Sequence, residues 1–218
     1  MNKSDGITPD TLSVLRERIR LYLTEKRYRH TLEVEEEAAR IGAIYLPGKV
    51  DKLRVAALLH DITKQLTFEK QLQCCREFDI MIDTSSPVSA GTLHAITGAA
   101  VAAEDFSDVT DEEILAGIRW HTTGHDGMTV FESIVYLADY IEPSRDFEDC
   151  IALRNYFWGG IGEEDDTAAL IRHLCRTMVL SFDCTIQQLI ASRERIGADT
   201  VLARNCFLGR LETLDGNG

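Results

Sequence analysis

Helix-start signals recur along this chain without matching strand signals, and that asymmetry constrains its fold more than any other feature. Thr8-Pro9-Asp10 reads as an N-cap, a proline at the first helical position and an acid in the first turn. Thr110-Asp111-Glu112-Glu113 and Thr129-Val130-Phe131-Glu132 have the form of capping boxes, and Thr67 and Thr92 are weaker caps. The single Asn-Gly pair lies in the C-terminal tail, so no hairpin turn joins two alternating apolar runs. Val34, Ala38, Ile41 and Tyr45 recur at helical spacing, as do Phe131, Ile134, Val135, Ala138 and Ile141. Together these predict helices over 9–24, 27–45, 50–62, 67–78, 92–105, 111–121, 130–142, 147–157, 164–194 and 198–213. The expected class is all-α. The glycine-rich Trp158–Gly162 stretch has no strand before it and an acidic helix start after it, so it reads as a connector rather than a phosphate loop.

With 218 residues and 44% hydrophobic content, the chain can bury a sizeable core, and one compact domain is expected. Lys plus Arg is 23 against 36 for Asp plus Glu, a net charge of 23 − 36 = −13. That balance excludes a broad nucleic-acid footprint and an anionic membrane surface. A small anionic substrate stays open to it if metal ions supply local positive charge. The six cysteines form no C-x-x-C pair, which points to free thiols in a reducing cytoplasm. MNKSDGITPD lacks the apolar stretch of a signal peptide, and apolar runs such as Val55–Leu59 fall far short of the ~20 residues that span a bilayer.

The chemistry lies in the placement of histidine and aspartate. His30 precedes Val34 by one turn on an apolar stripe, and His60 follows Ala57 on the buried side of its helix with Asp61 beside it. His94 shares a face with Thr97 and Val101, His121 follows Ile114 and Ile118, and Asp139 follows Val135 inside a strongly apolar helix. Any one such histidine is most often a satisfied core residue. Buried aspartates are harder to explain, because an unpaired carboxylate in an apolar interior is expensive. Helices packing inward would bring His30, His60, Asp61 and Asp139 to one point, where a cation would satisfy them all. Mixed imidazole and carboxylate donors suit iron, manganese, cobalt or zinc, and such a site keeps a position for an activated water.

Basic residues flank these positions at offsets of one or two turns. Lys64 follows Asp61 by three and Arg27 precedes His30 by three. Pro143 should end the helix after Asp139, so that Ser144 and Arg145 emerge beside the metal, Arg145 with a bidentate phosphate fork. His125 falls in a Thr- and Gly-rich loop and His173 in a long amphipathic helix, where a structural role is expected.

The ordered set His30, His60-Asp61, His94, His121 and Asp139 resembles the metal-binding pattern of HD-superfamily phosphohydrolases. Longer strings are more specific: Arg27-Tyr28-Arg29-His30-Thr31, Leu58-Leu59-His60-Asp61-Ile62-Thr63-Lys64, Leu93-His94, His121-Thr122-Thr123-Gly124 and Leu137 through Arg145. They resemble the YqeK-type branch, the symmetrical bis(5'-nucleosyl)-tetraphosphatases, over roughly residues 10–200. The resemblance implies an HD-domain helical bundle with a C-terminal helical extension, a single domain over 1–218 with a metal and nucleotide core at about 25–146 and further helices at about 147–213. It implies symmetrical hydrolysis of diadenosine tetraphosphate to two ADP, with iron or another first-row divalent metal present as one or two ions. By motif, His30, His60, Asp61 and Asp139 would hold metal, with Asp61 and Lys64 in catalytic roles. Arg27, Asp61, Ile62, Thr63, Lys64, His94, His121, Thr122, Asp139, Tyr140, Ile141, Glu142, Pro143, Ser144 and Arg145 would hold the nucleotide. His94 and His121 could instead ligate a second ion, and both readings stay open. His125-Asp126 departs from the small or basic residue the branch leads one to expect, which bears on that loop and not on the metal site. The rival readings are another HD-type nucleotide hydrolase, such as a deoxynucleotide phosphatase, and a non-catalytic nucleotide sensor. A homodimer through apolar stripes of the C-terminal helices is a further expectation.

Overall fold

The computed structural model describes residues 6–82, 89–162 and 166–216. Ten α-helices follow one another: α1 (Pro9–Ile19), α2 (Glu25–Tyr45), α3 (Val50–Leu59), α4 (Phe68–Glu77), α5 (Ala90–Asp105), α6 (Glu112–Trp120), α7 (Val130–Ile141), α8 (Glu148–Gly159), α9 (Thr167–Ala191) and α10 (Ala198–Leu214). No strand occurs among the described residues. The expected 164–194 helix is found from Thr167, its first residues lying outside the described residues.

The caps show why the helices begin where they do. Thr8 and Thr129 both close capping boxes, and Thr67 accepts from the Lys70 amide. Two expected caps shift by a few residues. Asp111, not Thr110, accepts from the Ile114 amide, because Thr110 bonds backward to the carbonyls of Phe106 and Ala102. Ser89 caps α5, and Thr92 is its partner three residues on.

α7 is the central helix, with every residue from Phe131 to Ala138 buried. α2 packs on α3 and α7, α6 packs on α5, α3 and α7, and α9 and α10 form an antiparallel pair with α9 reaching α7. α3 is short of its expected length. It ends at Leu59, and residues 60–66 continue in tight turns with Lys64 N bonded to Asp61 O and Leu66 N to Thr63 O. An α-helix would set neighbouring side chains about 100° apart. His60 and Asp61 nonetheless reach the same place, with Asp61 Oδ2 3.3 Å from His60 Nε2.

α6 likewise stops at Trp120, as its threonines and glycines lead one to expect, and a loop runs to α7. Gly124 holds that loop down with φ +63. A Cβ there would lie within 3 Å of Phe182, Ala203 and Met128, so α9 and α10 fix the loop that carries His121 and Thr122. No helix among the described residues is long and apolar enough to cross a membrane.

Candidate metal centre

Five helices converge on one buried cluster. α2 contributes His30, the C-cap of α3 His60, the following turn Asp61, α5 His94, the C-cap of α6 His121 and α7 Asp139. His60, His94, His121 and Asp61 are all buried. Asp139 Oδ1 lies 3.0 Å from His30 Nε2 and 3.7 Å from His60 Nε2. Asp61 Oδ2 lies 3.3 Å from His60 Nε2, and Asp61 Oδ1 lies 3.2 Å from His94 Nε2 and 3.7 Å from His121 Nε2.

The ring orientations follow from local chemistry. His60 Nδ1 is 2.6 Å from Ala57 O and His121 Nδ1 is 2.7 Å from Ile118 O, each the carbonyl three residues back. A carbonyl only accepts, so Nδ1 donates in both. Each ring thereby satisfies an orphan carbonyl of its own helix end and turns an Nε2 lone pair into the cluster. His30 Nδ1 is backed by Glu142 Oε1 at 3.1 Å, the carboxylate–imidazole arrangement that orients metal-binding histidines.

Two sets of donor atoms lie within 4.8 Å of one another: His30, His60 and Asp139, and His60, Asp61 and His121. The Nε2 atoms of His30 and His60 are buried and make no hydrogen bond. Buried imidazole nitrogens without partners, aimed at two carboxylates, fit a divalent cation. This donor set can hold one.

The electrostatics agree. Burial alone would push Asp61 up, but the imidazoles of His60, His121 and His94 beside it hold it well below the usual carboxylate range. Burial is likewise outweighed at Asp139, by the Arg145 guanidinium and the imidazoles of His30 and His60 beside it. Both carboxylates are ionised at neutral pH. Burial would lower His30, yet the carboxylates of Asp139 and Glu142 beside it lift it to about 9, so a cation there would displace a proton. His94 is pushed down to about 4, chiefly by burial, and is neutral.

Three cations stand at the rim where the sequence places them. Arg27 Nη1 is 2.9 Å from Asp61 Oδ2, Arg145 Nη2 is 2.6 Å from Asp139 Oδ1, and Lys64 Nζ is 3.3 Å from His94 Nε2. The Thr122 hydroxyl lies 3.1 Å from His121 Nε2.

Other expected nucleotide contacts are placed differently. The side chains of Ile62 and Ile141 are packed in the core and present no surface. The Thr63 hydroxyl donates to His94 O at 2.8 Å, and Tyr140 donates to Asp149 at 2.6 Å. Glu142, expected at the substrate, is fully buried behind His30 and accepts from Ser144 N and Oγ at 2.6 and 2.7 Å. Pro143 and Ser144 are exposed on the turn after α7. His125 and His173 stay outside the cluster, at Glu132 (3.0 Å) and Phe157 O (2.9 Å).

Sequence reasoning misses Arg154. Its guanidinium donates to Ile141 O, Glu142 O and Arg145 O at 2.6, 2.5 and 2.7 Å and so clamps the turn that presents Arg145. Nothing in its spacing from Asp139 marks it.

Known proteins resemble this chain over the span that carries the cluster. The HD-domain family matches residues 27–144, a span that contains all six members of the cluster. The symmetrical bis(5'-nucleosyl)-tetraphosphatase of Halalkalibacterium halodurans is 31% identical over 192 residues, 87% of this chain and 93% of that protein. The protein of the same name from Staphylococcus aureus is 38% identical over 123 residues, 56% of this chain and 62% of that one. A crystal structure of an HD-superfamily hydrolase from Clostridium acetobutylicum, described as involved in NAD metabolism, superposes with a TM-score of 0.78 at 32% identity, covering 91% of this chain and 97% of that one. The chain therefore belongs to the HD-domain hydrolases, in the branch that includes the symmetrical bis(5'-nucleosyl)-tetraphosphatases.

Proposed function

We propose that this chain hydrolyses diadenosine tetraphosphate and related dinucleoside tetraphosphates between the two central phosphates, giving two ADP. The observation that carries the reading is one cluster: His30, His60, Asp61 and Asp139 face each other with unpartnered imidazole nitrogens, ringed by Arg27, Lys64 and Arg145. His30, His60, Asp61 and Asp139 hold the metal in this reading. It is Fe²⁺, which Mn²⁺ or Co²⁺ can replace, because the mixed donor set suits first-row divalent ions. A second ion would fall to His121 and Asp61, whose donor atoms lie 3.7 Å apart, because His60 Nε2 has one lone pair and serves the first ion.

A bound divalent ion supplies Lewis acidity and lowers the pKa of water toward about 7. The protein supplies the rest. Asp61, kept ionised, takes the proton of the attacking water. Arg27, Lys64 and Arg145 set positive charge around the phosphate chain, and Lys64 and Arg145 counter the charge on the departing ADP. His94, Thr122, Ser144 and Arg145 line the phosphates. Local cations thus admit a polyanion to a chain of net charge −13.

The reading extends to one HD-type domain over 1–218, which the packing of Phe182 and Ala203 against Gly124 supports. It places the enzyme in the cytoplasm, consistent with six free thiols. It pairs two copies through α9 and α10, where Leu180, Ile190, Val201 and Leu202 are exposed.

The test is an oxygen-free assay with diadenosine tetraphosphate and Fe²⁺, Mn²⁺ or Co²⁺, the products separated by ion exchange. ADP alone is the expected product. ATP plus AMP would overturn the point of attack, and cleavage of deoxynucleotides alone would move the chain to another HD activity. A nucleotide bound tightly and never cleaved would make it a sensor.

A further inference from the structure

Phe147 is the most exposed aromatic side chain among the described residues, 63% accessible, and it stands two residues from Arg145. Its ring pairs with no other ring and carries no cation among the described residues, whereas Trp120, also beside the cluster, already packs against His125 at a tilt and is covered by Arg119. A ring so exposed gains little from burial. Nor is its position loose. The Arg154 guanidinium ties three carbonyls of the 141–145 turn together, Arg145 N bonds Glu142 O at 3.1 Å, and Phe147 O accepts from Ile151 N at 2.9 Å as α8 begins. The turn therefore presents Phe147 and Arg145 as one rigid unit, with Arg145 directed at Asp139.

From this juxtaposition we propose that Phe147 is a base-stacking platform, the residue by which the site selects a nucleotide over a bare polyphosphate. Resting on the nucleotide reading above, this names the group that recognises the base. A purine whose phosphates lie against Arg145 extends outward past the ribose, and the flat apolar surface within two residues' reach of that point is the Phe147 ring. Stacking is indifferent to the base edge, so the platform serves adenine and guanine alike.

The experiment compares the metal-loaded full chain with Phe147→Ala and Phe147→Trp. Titrations use ADP and inorganic pyrophosphate as probes, and kinetics use diadenosine tetraphosphate. Phe147→Ala should lose roughly tenfold in ADP affinity and raise KM by a similar factor, with kcat and pyrophosphate affinity unchanged. Phe147→Trp should restore ADP affinity, and ADP should quench its fluorescence beyond any quenching of Trp120 and Trp158 in the parent. Equal loss of ADP and pyrophosphate affinity in Phe147→Ala, no loss of either, or a parent chain that does not prefer ADP to pyrophosphate would each overturn the proposal. If diadenosine tetraphosphate is not cleaved, the nucleotide-hydrolysis reading fails, while the two titrations still decide the role of Phe147.

Discussion

Two buried charge clusters hang from α2, five residues apart, at Glu35 and at His30. Glu35 is 1% exposed, and both of its oxygens are answered. Arg16 donates to Oε2 at 2.8 Å and to Oε1 at 2.5 Å, and Arg54 donates to Oε1 at 2.9 Å. The guanidiniums reach the cluster from the surface, so their charge stays partly hydrated. Around His30 the carboxylates of Asp61 and Asp139 meet imidazoles instead, and the Nε2 atoms of His30 and His60 remain without a hydrogen bond. The Glu35 cluster is closed: both carboxylate oxygens are paired and no capacity is left. The His30 cluster is open: its donors converge, and only a cation satisfies them together. Burial of charge alone does not mark a functional site; unspent ligand capacity does.

The sharpest way to break this contrast is to remove one carboxylate from each cluster. Asp61→Ala should cut turnover by about 10³-fold or more while far-UV circular dichroism shows the helices intact. A folded Asp61→Ala protein that still turns over would remove Asp61 from the chemistry. Glu35→Ala should do the reverse, costing roughly 3 kcal/mol in denaturant unfolding because two arginines lose their shared partner, with kcat within twofold of the parent. A drop in kcat without loss of stability would show that the two clusters are not separate. Glu142→Ala then probes the support behind His30. Metal affinity should fall about 10- to 100-fold in an oxygen-free titration, and an unchanged affinity would reduce Glu142 to a cap for Ser144. The smallest effect is expected at His125→Ala, where a partly exposed pair with Glu132 is lost: under about 1 kcal/mol of stability and no change in turnover.

Much of this was legible beforehand, because helices and inward-facing ligands both write themselves at local spacing. Thr8, Thr67 and Thr129 announced their helices, and the stripe through Val34 and Ala38 placed His30 on the buried side of α2. Local spacing also misled. Apolar continuity predicted α3 to run through residue 62, but the chain tightens after Leu59, where His60 caps its own helix through Nδ1. The Asp139–Arg145 segment was marked as a unit without revealing that Glu142 turns inward to His30 while Arg145 turns to Asp139. Arg154 and the Arg16–Glu35–Arg54 cluster depend on pairings across helices, which no periodicity encodes.

Metal content tests the central claim most directly. The purified chain, loaded with Fe²⁺ without oxygen and then desalted, should carry one or two ions per chain by elemental analysis. The double substitution Asp61→Asn with Asp139→Asn should abolish that loading and leave the far-UV spectrum unchanged. Chelation of the parent protein should stop cleavage, and Fe²⁺ or Mn²⁺ should restore it. A parent chain that retains no metal and cleaves diadenosine tetraphosphate unaffected by chelator would contradict the account.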